Sequence, residues 1–339
     1  MAGLVMRART GRMIALAAWV LAARSPAAEN AAPSPPPKSG AFLFAHMTKK
    51  DYGRLYYAVS TDGLRWRLLN GGRRIDEDYR GHADICRGHD GRYYLIGNYS
   101  KRPEITIWVS DGLVRWRRHG TFRPDIYKTP DFRPALRYHG APKIHYDAPS
   151  RQYVITWHST GTKPDPKRPE AFWAGMRTLY VTSRDLRNFS DPKRLFDFDL
   201  ATIDVILRRE GTRYYAFLKD ERYPSFDWPT GKTIRIATAP SILGPYGKPS
   251  RPVTPNFREA PTVIPRPDGR GWYLYYEQYP GVCYGLSTAP SLAGPWYAEY
   301  CMKYAVPTGA RHGCMLPIPR ARYEAILAAY GRAPAAEAR

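Results

Sequence analysis

The chain has 339 residues, and its 43% hydrophobic and 14% aromatic content excludes an intrinsically disordered protein. No apolar run reaches the ~18 residues of a membrane-spanning helix, and four cysteines without a C-x-x-C pair exclude both a disulfide scaffold and a zinc ribbon. With 52 Lys+Arg against 30 Asp+Glu the net charge is +22, which raises nucleic acid as a partner until the charges are placed along the chain.

Arg7, Arg9 and Arg12 precede the apolar stretch MIALAAWVLAA (13–23) and a small-residue exit. This order predicts a signal peptide over 1–28 and a secreted or periplasmic protein; a short membrane anchor is the competing reading. Residues 29–39 read as a Pro-rich linker. Five basic residues and one acid lie before residue 40, so the remainder carries +18.

From residue 40 two patterns alternate. One is an apolar strand, a small polar turn, then Leu and an aromatic: LYYAVSTDGLRW (55–66), ITIWVSDGLVRW (105–116), LYVTSRDLRNF (179–189), IRIATAPSILGPY (234–246) and CYGLSTAPSLAGPW (283–296). The other is a turn followed by a Tyr-rich strand: HDGRYYLIGN (89–98), PSRQYVITWHS (149–159), EGTRYYAFLKD (210–220) and DGRGWYLYYEQ (268–278). A short strand precedes the Tyr strand in four units, at HADIC (82–86), GAPKIHY (140–146), TIDVIL (202–207) and REAPTVI (258–264). The first unit begins directly at AFLFAH (41–46), and RHGCMLPIP (311–319) has the character of its missing strand. Several strands per unit at this period predict an all-β, five-bladed β-propeller over 40–320, with the two chain ends completing one shared blade. Only the tail, 321–339, looks helical, through RARYEAILAAYG (320–331). The repeated aromatics Trp66, Trp116, Phe189, Tyr246 and Trp296 are expected to pack between blades.

The inner strand of each blade lines the central channel, and the residues at its start are expected at one mouth: Asp84, Pro142, Asp204, Glu259 and His312. Three carboxylates gathered there repel one another unless they are used. Glycosidic bond cleavage needs such a set, with one neutral acid for the leaving oxygen and one ionised base for water. Capping of strand-start turns is the bland alternative for each Asp taken singly.

D-I-C-R-x-x-D-G-R-Y-Y (84–94), A-P-K-I-x-Y-D (141–147), I-D-V-I-L (203–207), E-A-P-T-V (259–263) and RHG-x-x-x-P-I (311–318), in this order, resemble the glycoside hydrolase family 43 group. The resemblance implies an inverting glycosidase with Asp84 as general base, Asp204 as pKa modulator and Glu259 as general acid. It also implies a central calcium that His312 approaches; a hydrogen-bonded core histidine is the alternative, since calcium prefers oxygen. Ile-Cys after Asp84 and Ala after Glu259 depart from the family pattern and bear on the substrate subclass. Lys219, Asp220 and Glu221, and Tyr276 with Glu277, follow second strands and are candidates for sugar hydroxyls or for salt bridges between blades. Trp157 and His158 hold the same place in the third unit, where Trp157 serves either a sugar face or the core.

Three other functions compete. A lectin-like propeller would bind glycans without needing all three carboxylates. A glycoside phosphorylase would gather Arg and His at the mouth, for which His82, Arg87 and Arg258 are candidates. Nucleic-acid binding is excluded by dispersal, because Arg73-Arg74, Arg117-Arg118 and Arg208-Arg209 fall in different units. The expectation is an exported hydrolase of oligo- or polysaccharides, tried first on arabinofuranosides and β-xylosides, with no organic cofactor, no integral membrane association, and an oligomeric state that the sequence leaves open with a monomer favoured. The four cysteines are expected as free thiols, with Cys283–Cys301 and Cys86–Cys314 as the pairs that oxidation would test.

Overall fold

The computed structural model describes residues 40–98, 104–125, 140–281 and 283–331; the expected signal peptide and linker lie outside the described residues. Five antiparallel sheets follow one another. The first blade holds β1 (Ala41–Thr48), β2 (Tyr56–Ser60) and β3 (Arg67–Leu68). The second holds β4 (Asp84–Arg87), β5 (Tyr93–Asn98), β6 (Ile105–Ser110) and β7 (Arg117–Phe122). β8 (Gly140–Asp147), β9 (Gln152–Ser159), β10 (Arg177–Ser183) and β11 (Lys193–Arg194) form the third, with helix α1 (Pro169–Ala174) between β9 and β10. The fourth has β12 (Thr202–Glu210), β13 (Arg213–Asp220) and β14 (Thr233–Ala239), and the fifth β15 (Arg258–Pro265), β16 (Trp272–Gln278), β17 (Tyr284–Ala289) and β18 (Tyr297–Ala298).

The last strand, β19 (Ala310–Ile318), pairs with β1 from Ala41 opposite Ile318 to Thr48 opposite Ala310. The chain ends therefore share the first blade, and closure removes the two sheet edges that an open ring would expose. Helix α2 (Arg320–Tyr330) follows and buries Ile326. Among the described residues no helix is long and apolar enough to cross a membrane.

The Tyr-rich strands are apolar on both faces because each blade is packed on both sides. In β13, Tyr214, Ala216 and Leu218 join the core toward the third blade, whereas Tyr215 and Phe217 join that toward the fifth. In β5, Tyr93 and Leu95 divide from Tyr94 and Ile96 in the same way. A period of two between two apolar environments gives the unbroken runs seen in sequence. The repeated aromatics reach back one blade each: Trp116 donates to Tyr57 Oη at 2.7 Å, Phe189 stacks on Phe122 at 3.8 Å, and Trp296 meets Phe217 at 5.6 Å. Tyr246 meets Phe196 at 5.3 Å, and Trp66 closes the ring on Tyr275 at 6.3 Å.

Where the inner strands approach one mouth, their ladders slip. Register shifts separate Gly140 from Lys143, Ile203 from Ile206 and Glu259 from Thr262, and β1 slips against β19 between His46 and Met47. The extra residues Ala141, Asp204, Ala260 and His312 take positive φ of 40°, 53°, 49° and 22°. Such bulges re-aim side chains at a rim, and holding non-glycine residues there costs of order 1 kcal/mol each.

His46, opposite the last bulge, is 1% exposed and donates from Nδ1 to the Met47 carbonyl at 2.9 Å. Burial lowers its pKa to about 4, and burial does the same for His158 in β9. The unfolded chain binds these protons below about 6.5 while the fold resists them. Stability is thus full above pH 6.5 and falls toward pH 4, by on the order of 3 kcal/mol per histidine. Denaturant unfolding at stepped pH should show this slope, and His46→Phe should flatten it; an unchanged slope would overturn the assignment.

Candidate active site

Two cavities open at opposite ends of the channel. The first, about 470 Å³, is lined by Gly140 and Ala141, Ile203 and Asp204, Glu259, and Arg311 and His312, all at the bulged ends of the inner strands. The second, about 540 Å³, is lined by the far ends of the same strands, including Asp84, His145, Arg208, Val263 and Cys314.

Of the three expected catalytic carboxylates, the structure brings Asp204 and Glu259 together and places Asp84 elsewhere. Asp84 pairs with Ile96, and by alignment of the Tyr strands this is the level of Ile206 opposite Phe217 and Thr262 opposite Tyr275, inward of the bulge. It lines the second cavity, its Oδ2 accepts from Ile144 N at 2.8 Å, and burial raises its pKa. The mouth position on the second blade belongs instead to Gly81 and His82, both of which line the first cavity. A β-carbon on Gly81 would come within 2.5 Å of Asn98 N, so that position admits only glycine. The expectation of Asp84 as a mouth base is corrected accordingly.

Glu259 is 6% exposed and held on both oxygens. Oε2 accepts from Lys219 Nζ at 2.7 Å, and Oε1 accepts from Arg311 Nη2 at 3.2 Å and faces His312 Nε2 at 3.7 Å. Lys219, 2% exposed, also meets Glu221 at 3.0 Å, and Glu221 is paired with Lys232. Burial would push Lys219 down, but the Glu259, Glu221 and Asp204 carboxylates outweigh it and hold its ammonium above the ordinary lysine value. Asp204 sits beside Glu259, its Oδ2 accepting from Ala260 N at 3.2 Å. Burial raises Asp204, yet His312, His158, Lys219 and Lys143 together hold its carboxyl well below the usual range.

His82 shares Nε2 with Tyr52 Oη at 2.8 Å, stacks on His312 at 4.4 Å, and has no hydrogen-bond partner at Nδ1 among the described residues. Burial first, then the charge of His312, lowers its pKa. That shift keeps the imidazole neutral and disfavours its protonation.

Of the expected sugar-binding residues, His82, His158, Lys219 and Glu221 line the first cavity. Trp157 and Tyr276 do not: each is buried in an interblade core, Tyr276 sharing a hydrogen bond with Ser287 Oγ. Asp220 is fully buried and holds Arg222 and Arg235. Arg258 turns onto the carbonyls of Asn256 and Phe257. Of the Arg and His candidates for a phosphate, Arg87 belongs to the other cavity. Glu277 is 1% exposed behind the wall, accepting from Arg311 Nε at 3.1 Å and from His312 N.

Ligand atoms of Glu259, Glu277 and His312 lie within 4.8 Å of one another. They do not suit calcium, which takes six to eight oxygens, because Arg311 and Lys219 already neutralise both carboxylates. His312 thus lies in a cluster of metal-ligating residue types whose carboxylates are already paired with cations.

Sequence reasoning missed Arg311, next to the bulged His312, and the loop residues Tyr52, Arg54, Arg80, Trp173, Tyr223, Lys232 and Tyr279 that complete the cavity. Trp173 comes from α1, and Tyr223 and Lys232 from the 221–232 loop.

Residues 38–324 match the glycosyl hydrolase 43-related family, described as a probable glycosyl hydrolase domain. An alpha-L-arabinofuranosidase of Bifidobacterium longum subsp. longum is 25% identical over 256 residues, covering 65% of this chain and 23% of that protein. The chain thus spans about a quarter of that relative's length. Among solved structures, a variant of an exo-beta-1,3-galactanase from Phanerochaete chrysosporium with beta-1,3-galactotriose superposes with TM-score 0.51 at 13% identity, over 68% of this chain and 53% of that one. A thermostable family-43 glycoside hydrolase gives TM-score 0.49 at 18% identity, over 65% and 72%.

Proposed function

The chain belongs to the glycosyl hydrolase 43-related family, and on that premise we propose that it cleaves glycosidic bonds of oligo- or polysaccharides in the first cavity by single displacement. The observation that supports this most is the pair Asp204 and Glu259, delivered by neighbouring blades to one buried wall. Glu259 donates the proton to the leaving oxygen, at the Oε1 that faces His312. Asp204, anchored on the backbone next to Glu259, orients it. His82 occupies the corresponding mouth position on the second blade and orients the attacking water, which releases its proton to solvent as the new bond forms. His312 holds the two apart, its ring 4.4 Å from His82 and its Nε2 3.7 Å from Glu259.

Trp173, Tyr223 and Tyr279 offer apolar faces to sugar rings at the rim. Arabinofuranosides and β-xylosides are the first substrates on family analogy, and the relative from Bifidobacterium points the same way. Export through residues 1–28 belongs to the same reading and rests on the basic start and apolar run of that segment. The test is a panel of chromogenic arabinofuranosides, xylosides and galactosides, with the product anomer followed by NMR. Turnover with inverted anomer is the expected result; binding without any cleavage would replace the hydrolase with a lectin, the reading that displacement of Asp84 favours.

A further inference from the structure

Several charged groups of the inner strands take no part in the chemistry of the first cavity and line the second one instead, at the other end of the channel. Asp84 on β4, His145 on β8 and Arg208 on β12 come from three successive blades. Arg208 is half-buried and commits two donors to backbone, Nε to the Val263 carbonyl at 3.0 Å and Nη1 to that of Leu207 at 2.9 Å. Its Nη2 makes no hydrogen bond and its guanidinium no ion pair among the described residues. Asp84 is 4% exposed, accepts at Oδ2 from Ile144 N at 2.8 Å, and forms no salt bridge with Arg208. His145 is 7% exposed, and its Nε2 is buried without a hydrogen-bond partner among the described residues. Protein interiors rarely leave such an atom unmatched, and a bound molecule would match it. Burial raises the pKa of Asp84 and lowers that of His145, and the charges of Lys143 and Arg208 act on both. The three groups therefore share one region without closing on one another. Lys143, 4% exposed on β8, makes no ion pair among the described residues and adds to the positive charge there.

Charge selects the ligand. The cavity wall carries the guanidinium groups of Arg87, Arg208 and Arg209 against the carboxylates of Asp84 and Asp147. Asp147 is already satisfied, by Ser150 N at 3.1 Å and Tyr214 Oη at 2.6 Å. Arg87 bonds the Gly91 carbonyl at 3.4 Å, and Arg209 lies over the Tyr214 ring at 5.8 Å. An excess of one positive charge favours a ligand with one negative charge, and a planar carboxylate matches the guanidinium fork. Asp84 as a carboxylate only accepts, so it turns away a second anionic group and takes a hydroxyl. Neutral His145 offers one donor and one acceptor, which also suits a hydroxyl. We propose that the second cavity binds a small hydroxylated carboxylate, a sugar acid of the uronate class, with its carboxylate on Arg208 and its hydroxyls on Asp84 and His145. The volume of about 540 Å³ is ample for one sugar ring. The site lies apart from Glu259 and does not depend on the function proposed above.

Calorimetry on the whole protein, titrating glucuronate, glucose and acetate at low and high NaCl, tests this. Cleavage of the glycoside panel is scored separately. The wild type should bind glucuronate at least ~10-fold more tightly than glucose or acetate, and less tightly at high salt. Arg208→Gln should lose the advantage over glucose, and His145→Phe should weaken glucuronate and glucose alike, each with thermal unfolding as control. Arg208→Lys keeps the charge without the fork and should retain only part of the preference; it carries the test if the Gln variant does not fold. Equal binding of the three probes overturns the site. So does wild-type affinity for glucuronate in a folded Arg208→Gln or Arg208→Lys variant, which would place the ligand elsewhere. Glucuronate binding that depends on Arg208, in a protein that cleaves no glycoside, keeps this site and removes the cleavage function; cleavage without such binding does the reverse.

Discussion

Glu259→Gln should lower turnover by about 10³-fold, the usual contribution of a positioned proton donor, while the protein stays folded. The geometry makes this substitution unusually clean. Removing a buried carboxylate normally strands its cations, but here each keeps a second partner: Lys219 stays 3.0 Å from Glu221, and Arg311 stays 3.1 Å from Glu277. The glutamine oxygen can still accept from Lys219 in place of Oε2, whereas its amide cannot protonate a leaving group. The loss should therefore fall on kcat rather than on KM, because the donor acts when the bond breaks. Steady-state kinetics on the best glycoside from the panel, with thermal unfolding as control, decides the matter. Turnover within tenfold of the wild type at unchanged stability would remove Glu259 from the chemistry.

The largest loss of stability should come from Lys219→Met. Its ammonium is 2% exposed, bridges Glu259 at 2.7 Å and Glu221 at 3.0 Å, and lies 5.0 Å from the centre of the Tyr279 ring. Methionine keeps much of the stem and deletes the charge, leaving two buried carboxylates short of a partner. Breaking one side of a buried ionic cluster costs about 3–5 kcal/mol, which in a domain of this size lowers Tm by roughly 10 °C. Residual pairing of Glu221 with Lys232 and of Glu259 with Arg311 keeps the loss from being larger. The sign with pH is also set. Because the folded pKa of Lys219 lies above its ordinary 10.5, its stabilisation is complete below about pH 10.5 and is lost only as pH rises further. Variant and wild type should therefore differ across neutral and mildly acidic pH and converge in strong alkali. A Tm change under 2 °C at neutral pH would show that the cluster rearranges without cost.

Much of the architecture was legible before any coordinates, because a blade is a local object. Each Tyr strand carries its own two-faced alternation, and each polar turn carries its own caps, as where Ser60 Oγ accepts from Gly63 N and Asp62 Oδ1 from Leu64 N and Arg65 N. Even the closing of the ring could be read, since β1 lacks an inner neighbour and β19 lacks a blade of its own. Side-chain direction was harder to read. His158 and Lys219 line the cavity while Trp157 and Asp220, one position away on the same strands, turn to the space between blades. A slip of one residue exchanges mouth for core, and nothing in the local pattern of an all-apolar strand says which phase applies.

The chain by itself thus determined the propeller, its shared first blade, the interblade aromatics and two carboxylates at the bulges. Those features depend on periodicity and on neighbours along the chain. Tertiary structure alone decided depth in the channel. The hairpins joining first to second strands differ in length, with Arg87 opposite Tyr93, Glu210 opposite Arg213 and Pro265 opposite Trp272, so distance along the chain does not measure distance from the mouth. That is why Asp84, which reads as the counterpart of Asp204, lies inward at the other cavity while His82 takes the mouth position. It is also why Arg54, Arg80 and Arg311, from three separate segments, come to line one cavity only once the ring closes.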